Sequence, residues 1–483
     1  MIALVPLTYL ILLIWLKLSF KKIELLELLA STNLILLGLA GLVPFLLREY
    51  AGIGYKYSIF EIMAVALALI TYELVAKRKL IFFRADSSIQ ENTELKLGDE
   101  LNADMSSPLG GKLALSVRGG RHNLISLAKK LSAPVIFLMI FGVILISRGF
   151  YLPIRGWDAI SLYDARARMF LSGLSLGELK TLSQYDDFNY YYYLSYPPMT
   201  SVIHTTLYST GFSGVMWVYA LFYMSFIYYL YLLLKKLEIN RLLKISLFAA
   251  VAFNPLIIGQ MNIAYTNLPM MAFQTGSLYY LIKYIWDRNN KFLIISAMLL
   301  SFANWTRNLE PIFIGFVLAT LYAVFTYKKL HILKKMILSI VYTAISLLTR
   351  TVWTYYLRNS VGSIGDTTPS FNILISRLAD SLYLGNLVGI VFFIFTALTP
   401  ILLYILLMGI GLVWRNLHSK RRHSLIETAL VIVFITMVAL MLGGTLYFST
   451  TFTWWDKIGG SFLRSNMLII PLAVIYVAFV MEK

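Results

Sequence analysis

Long apolar stretches recur along most of this 483-residue chain and restrict what it can fold into. Hydrophobic residues make up 59% of the chain and charged residues 14%, with a mean hydropathy of +0.74, whereas soluble domains carry about 25% charged residues. A helix needs about 20 apolar residues to cross a bilayer, and by this criterion the chain contains roughly 13 candidate spans. We therefore predict an all-α polytopic membrane protein. The candidate spans lie at residues 2–16, 30–48, 58–76, 132–148, 215–234, 245–261, 268–285, 292–305, 311–327, 336–356, 386–413, 425–447 and 466–481.

Lysines and arginines are concentrated in alternate loops between these spans, including the loops around Lys17, Lys77, Lys235, Lys328 and Arg415. Because cytoplasmic loops keep an excess of basic residues, the pattern predicts a multi-pass protein of the cell membrane with its N-terminus outside and its C-terminus in the cytoplasm. This alternation requires that the segment 197–211 does not cross, and we predict a helix at the membrane surface there. The net charge of +18 then indicates topology, not nucleic-acid binding.

The chain divides into three parts by composition. Residues 1–80 hold three N-terminal spans, residues 81–130 form a polar cytoplasmic linker, and residues 131–483 hold the remaining spans with an outer loop at 149–214. No nucleotide-binding glycine pattern is visible. There is no cysteine, which excludes disulfides and thiolate metal sites.

The basic residues predicted to lie outside are mostly arginines. A guanidinium binds phosphate or carboxylate with two parallel hydrogen bonds, whereas the lysine ammonium is a point charge. The set indicates an anionic head group bound on the outer side, although snorkelling at a helix end is an equal alternative for any single member. These residues are Arg48, Arg148, Arg155, Arg166, Arg168, Arg307, Arg350, Arg358, Arg377 and Arg464.

The outer loop begins with GWDAISLYDARARMF, residues 156–170. The spacing predicts a helix from Ala159, closed by Gly173, with Ile160, Tyr163, Ala167 and Phe170 on one face. Asp158 precedes this helix and is either its N-cap or a free carboxylate able to act as a general base. Asp164 has Arg168 four residues later, which favours an intrahelical ion pair.

Several motifs in this loop and further along resemble the GT-C superfamily of membrane glycosyltransferases. Trp157-Asp158-Ala159, Arg166-Ala167 and Tyr196-Pro197-Pro198 are similar to a loop that leads into a YPP turn in one branch of that superfamily. Three later segments continue the resemblance in the same order. They are AYTNLPMM (264–271), NWTRNLEP (304–311) and GGSFLRSNMLIIP (459–471). The resemblance as a whole covers roughly residues 130–483.

The resemblance implies a GT-C-type bundle of about 13 transmembrane helices with extracytoplasmic juxtamembrane helices. It implies a glycosyltransferase that moves a sugar, with inversion, from a polyprenyl-phosphate donor to a glycan, lipid or protein acceptor. By this resemblance Asp158 is the general base, and Arg307, Arg464 and Arg166 bind the donor phosphate. Residues at matching positions are expected to contact sugar or acceptor, namely Asp164, Tyr196, Tyr265, Asn267 and Glu310. The family usually has an acidic residue where Asn267 stands. For Glu310 the position favours a structural ion pair at a helix boundary over contact with a sugar or with Arg307.

A divalent cation is used by some members of the superfamily, but the sequence assigns no metal ligand. Adjacent carboxylates such as Asp186 and Asp187 point in different directions and do not form a metal site alone. The aromatic residues of the outer loop, Tyr190 to Tyr193, suit either sugar stacking or an interfacial belt. The pattern favours a structural role for His204.

Two other functional classes are consistent with a multi-spanning chain. A polyprenyl-linked glycan flippase or other transporter would carry its polar residues within the spans, near the midplane. Here the ionisable residues gather in the loops, which favours the enzyme. A non-enzymatic scaffold would not need the outer arginines.

Overall fold

The computed structural model describes residues 2–20, 23–75, 132–178, 196–307, 310–361, 388, 399–417, 424–451, 463–464 and 466–482. Helix makes up 85% of the structure, and the described residues contain no strand. The predicted all-α class is therefore confirmed. The main helices are α1 (Leu4–Ser19), α2 (Leu25–Ala51), α3 (Tyr55–Val75), α4 (Ala133–Tyr151), α5 (Ala165–Leu171), α6 (Met199–Thr210), α7 (Met216–Lys236), α8 (Arg241–Ala252), α9 (Pro255–Met261), α10 (Asn267–Asp287), α11 (Asn290–Thr306), α12 (Glu310–Phe325), α13 (Ile332–Tyr356), α14 (Thr399–Leu417), α15 (Ser424–Thr451) and α16 (Ile469–Val480).

Five helices in the described part of the chain are long and apolar enough to cross a membrane, namely α2, α3, α4, α7 and α13. A sixth span results if α8 and α9, which meet at a bend of 49°, are one broken span. The helices α1, α12, α14, α15 and α16 include shorter apolar segments. Helices suit a bilayer because every backbone polar group inside them is satisfied internally. The structure thus supports a polytopic membrane protein, and the figure of about 13 spans stays a prediction.

Three of the helices begin after an asparagine whose side chain satisfies a free backbone donor. Asn240, Asn254 and Asn289 precede α8, α9 and α11, and each accepts a hydrogen bond from the backbone N–H two residues later. This is the capping role for which asparagine is favoured at helix starts. These asparagines therefore fix where three of the helices begin.

The helix α2 lies in the centre of the bundle, although its sequence precedes the region of family resemblance. It packs against α6, α7, α10 and α11. Its Gly38 lies directly against the Phe302 ring, and its Gly41 carbonyl accepts a hydrogen bond of 2.7 Å from the Trp305 indole. Close packing against small residues is the usual way in which membrane helices associate. The N-terminal helices therefore share one core with the rest of the chain.

The end of the bundle at which α2 finishes carries a layer of short helices, and we call it the α6 end. The segment predicted at 197–211 forms α6, which is buried along nearly its whole length. A helix of 12 residues spans about 18 Å, too short to cross a hydrocarbon core of about 30 Å. The predicted helix is therefore present, and its position at the membrane surface stays a prediction.

The helix predicted from Ala159 begins with a π-helical turn, Ala159–Asp164, and continues as α5. The wider turn shifts the register, so Ile160 is 54% exposed while Tyr163, Ala167 and Phe170 are buried. The shared face was therefore predicted correctly except for Ile160. Isolated π-turns of this kind are frequent at functional sites.

The opposite end of the bundle contains an ion pair inside the core. Lys283 of α10 donates to Glu27 of α2, and both side chains are buried. The Lys283 ammonium also lies 4.5 Å from the centre of the Phe292 ring. The pair joins the first turns of α2 to the last turns of α10.

Some predictions concern residues outside those that the structure describes. They include the linker at 81–130 and the part of the outer loop from 179 to 195 with Asp186, Asp187 and Tyr190 to Tyr193. The predicted orientation across the membrane also stays a prediction.

Candidate functional site

Asp158 lies at the start of the π-helical turn that follows α4. Its backbone is already helical, and its side chain makes no capping hydrogen bond, although it occupies the N-cap position. No hydrogen bond or ion pair joins its carboxylate to another residue in the described part of the chain, and the side chain is partly exposed. The next residue back, Trp157, is 69% exposed. Asp158 is thus a carboxylate on a helical backbone that has no partner within the described ranges.

The turn that precedes Asp158 lies against the AYTNLP segment. Gly156 has a φ of +95°, and a side-chain carbon placed there would come within 3.0 Å of the Tyr265 hydroxyl. Both the left-handed backbone and the close approach require glycine at this position. The contact places the Trp157-Asp158 turn beside Tyr265.

The stretch Tyr265–Asn267 comprises the end of the turn after α9 and the first residue of α10. It also contacts the end of α11. The Arg307 guanidinium donates a hydrogen bond of 2.8 Å to the Asn267 side-chain oxygen and lies 6.0 Å from the centre of the Tyr196 ring. Among the described residues, no carboxylate pairs with Arg307. The hydrogen-bond partner that the described residues give to Arg307 is thus a neutral amide, not a carboxylate.

A second arginine lies against the same turn. The Arg464 guanidinium, in the segment that leads into α16, lies 4.6 Å from the centre of the Tyr265 ring. That ring also contacts Tyr163 of the π-helical turn edge to face, with centroids 6.4 Å apart. The stretch Tyr265–Asn267 therefore supports two guanidinium groups, Arg464 at its start and Arg307 at its end.

Arg166 has a different environment from the other two arginines. It is completely buried, and its guanidinium donates to the Ser201 hydroxyl at 2.9 Å, to the Tyr196 carbonyl at 3.1 Å and to the Pro197 carbonyl at 3.4 Å. A buried guanidinium is tolerated when its donors are satisfied in this way. Arg166 therefore ties α5 to the YPP turn at the start of α6.

Asp164 forms the predicted pair with Arg168 and has further partners that the sequence did not indicate. The ion pair with Arg168 measures 2.9 Å, the Tyr208 hydroxyl donates to the other carboxylate oxygen, and the His204 Nδ1 lies 3.7 Å away. Burial alone would raise the pKa of the Asp164 carboxyl, but its interactions with His204, Tyr208 and Arg168 outweigh burial and lower that pKa to about 2. Asp164 is thus an ionised carboxylate fully engaged in the protein.

His204 completes this cluster on the buried face of α6. Its Nε2 is 3.1 Å from the Tyr219 hydroxyl, whereas its Nδ1 makes no hydrogen bond, because 3.7 Å from Asp164 is too long for one. Burial lowers the pKa of His204 from its ordinary value of 6.5, although the neighbouring carboxylate acts in the opposite direction. Burial therefore favours the neutral form of the imidazole.

The structure brings most of the predicted site residues to the α6 end of the bundle. Arg307 and Arg464 contact the stretch Tyr265–Asn267, and the Tyr196 ring lies 6.0 Å from Arg307. Gly156, two residues before Asp158, also lies against Tyr265. Arg166 lies in α5 and Asp164 in the turn before it. Glu310 begins α12, and its side chain lies outside the described residues. Within the described ranges, no group of three or more His, Asp or Glu side chains could hold a metal ion.

Sequence reasoning missed the residues of α6 that hold the site together. Ser201 and Thr205 bind Arg166 and the Ala167 carbonyl, and Tyr208 binds Asp164. These residues recur at spacings of three and four, and this helical periodicity of polar residues is the signal that could have revealed a polar contact face.

Comparison of the chain with protein-family models, with curated proteins and with solved structures gave no match.

Proposed function

We propose that this protein is an integral membrane glycosyltransferase that transfers a sugar, with inversion, from a polyprenyl-phosphate donor to an acceptor on the extracytoplasmic side. The acceptor class is a glycan, a lipid or a protein. The observation that carries the proposal is the pair of guanidinium groups on the stretch Tyr265–Asn267. The Asp158 carboxylate, which has no partner among the described residues, follows Gly156, and Gly156 lies against Tyr265.

The two arginines supply what a phosphate leaving group needs. Departure of a polyprenyl phosphate leaves negative charge on its oxygens, and donors already fixed in place stabilise this charge as it develops. Arg307 is held by Asn267 and Arg464 lies against Tyr265, so both groups are positioned before the donor binds. A site at the end of a helical bundle also fits a donor whose chain stays in the bilayer while its head group reaches the loops.

Asp158 is the proposed general base. It removes the proton from an acceptor hydroxyl, whose oxygen attacks the anomeric carbon while the bond from that carbon to the phosphate oxygen breaks. One base and no covalent intermediate suffice for inversion. The exposed Trp157 ring beside Asp158 is suited to stacking on a sugar face.

The remaining predicted site residues have supporting roles in this proposal. Tyr196, Tyr265, Asn267 and Glu310 contact sugar or acceptor, with Tyr196 and Asn267 also orienting Arg307. Arg166 and Asp164 are positioning residues, because both are buried and engaged with α6. Arg166 therefore acts on the donor phosphate through the YPP turn that it holds.

The test is transfer of radiolabelled sugar from a polyprenyl-phosphate donor by the purified protein in detergent. We expect transfer by the wild type and a loss of at least about two orders of magnitude in Asp158→Asn, as for removal of a general base. Asp287→Asn, at the other end of α10, is the matched control and should keep wild-type activity.

Survival of transfer in Asp158→Asn would contradict the role of Asp158 as the base while leaving the enzyme class intact. A different outcome is that the wild type transfers no sugar from any polyprenyl donor and moves the donor from one leaflet of a proteoliposome membrane to the other. In that case the enzyme proposal is wrong and the protein is a flippase or other transporter.

A further inference from the structure

An apolar cavity of about 440 Å³ lies between the N-terminal helices and the bundle. Its wall is built from one or more residues of each of α1, α2, α3, α4, α6 and α7, together with Phe212 after α6. This volume is within the range of about 300–1,000 Å³ that is usual for ligand pockets. Lining residues used below are Ile2, Pro6, Asn33, Leu37, Ala40, Ile62, Ile203, Thr206, Leu207 and Leu221.

Polar groups at this wall form hydrogen bonds within the protein. The Asn33 amide donates to the Ser225 hydroxyl at 3.2 Å, and the Thr206 hydroxyl donates to the Ala40 carbonyl at 3.3 Å. Water needs two to four polar partners in a cavity, and apolar cavities stay dry. The cavity therefore suits a hydrocarbon better than water or a polar ligand.

The side chains that line the cavity differ in exposure, from buried at one part of the wall to exposed at another. Leu37 and Ile62 are 4% and 1% exposed, whereas Ile2 at the start of α1 is 50% exposed and Pro6 is also exposed. The exposed part of the wall thus lies at the start of α1. The helices α3 and α4, two candidate membrane spans with mostly unburied side chains, also contribute to the wall. In a bilayer, these apolar surfaces would give an acyl chain a route to the cavity.

We propose that this cavity binds one acyl chain of a bilayer phospholipid, which fills the space between α1, α2, α6 and α7. None of α10, α11 and the segment before α16, which carry Asn267, Arg307 and Arg464, contributes to the cavity wall. The position of the cavity therefore favours a resident phospholipid over the chain of a donor bound at those arginines. The acyl chain of this phospholipid fills the space that the side chains of α1 and α2 leave open.

Native mass spectrometry of the detergent-purified protein, equilibrated with dioleoyl phosphatidylglycerol, measures the bound lipid. We expect one retained lipid in the wild type. Ala40→Phe puts a ring into the cavity and should lower retention at least about tenfold, because the ring occupies space that the acyl chain needs. Val143→Phe places the same ring on the 64% exposed surface of α4 and should retain the lipid as the wild type does. Equal retention in Ala40→Phe and the wild type would overturn the proposal.

A second measurement uses the wild type and does not depend on the folding of a variant. The protein is irradiated with phosphatidylglycerol that carries a diazirine in one acyl chain, and the labelled peptides are mapped. We expect label on buried wall residues such as Leu37 and Leu207. Label confined to exposed surfaces such as Val143, or competition by a polyprenyl phosphate but not by unlabelled phosphatidylglycerol, would contradict the proposal, and the second result would assign the cavity to an isoprenoid chain. Neither result depends on sugar transfer, so this test and that of the proposed function fail separately.

Discussion

The Arg307 guanidinium donates a 2.8 Å hydrogen bond to the side-chain oxygen of Asn267, where the resembling family usually has an acidic residue. A carboxylate at this position would form an ion pair and neutralise much of the arginine charge, whereas an amide only orients the group. Asn267 therefore orients Arg307 through a neutral group, and we propose that the guanidinium charge is used to bind an anion.

Replacing Asn267 with Asp should weaken the use of an anionic donor. Hydrogen bonds to charged groups contribute about 1.5–3 kcal/mol, so we expect kcat/KM for the donor to fall about tenfold to a hundredfold. The measurement is steady-state transfer at varied donor concentration. Asn267→Gln keeps the amide and is the control, which should lose less activity than Asn267→Asp. An unchanged kcat/KM in Asn267→Asp would show that Arg307 does not contact the donor phosphate.

Arg166 is expected to matter for stability more than its neighbour Arg168. Arg166→Gln leaves the Tyr196 and Pro197 carbonyls without their buried donor, and we expect a loss of about 2–3 kcal/mol of stability. Arg168 is 65% exposed, and its pair with Asp164 should contribute less than about 1 kcal/mol. Thermal unfolding of Arg166→Gln and Arg168→Gln in the same detergent compares the two. A similar melting temperature for both variants would contradict a stabilising role for the hydrogen bonds from Arg166 to the YPP turn.

The buried His204 predicts a loss of stability on mild acidification. Its pKa is lowered in the folded protein, so the unfolded chain binds a proton first and stability falls as the pH drops below the ordinary value of 6.5. Asp164 does not titrate between pH 7 and pH 5, because its folded pKa is about 2. Melting temperatures measured across this range should fall less in His204→Gln than in the wild type. Parallel curves for the two proteins would rule out His204 as the source.

The buried ion pair of Lys283 and Glu27 predicts that substitutions of the two residues have non-additive effects on the free energy of unfolding. Removing one partner leaves an uncompensated buried charge, so Lys283→Met alone should cost about 3–5 kcal/mol, whereas Lys283→Met combined with Glu27→Leu should cost much less. Chemical unfolding of both single variants and the double variant gives the coupling energy. Additive losses would mean that each side chain is stabilised by other neighbours.

The sequence by itself determined the all-helical membrane class, the positions of the main helices and the ion pair of Asp164 with Arg168. These features depend on apolar run length and on residues four apart in one helix, and both can be read locally. Periodicity also predicted the helix after Asp158. It misplaced Ile160, because a π-turn changes the residue spacing without leaving a signal in composition.

Only the tertiary structure decided which residues of separate helices meet. Arg166 and Arg307 look alike in sequence, yet one is enclosed by α6 and the other is held by Asn267 at the turn before α10. The central position of α2 and the partners of His204 were likewise decided by packing between residues far apart in the chain. Apolar patterning predicts which face of a helix is buried. Shape complementarity and hydrogen-bond satisfaction determine the helix against which that face packs.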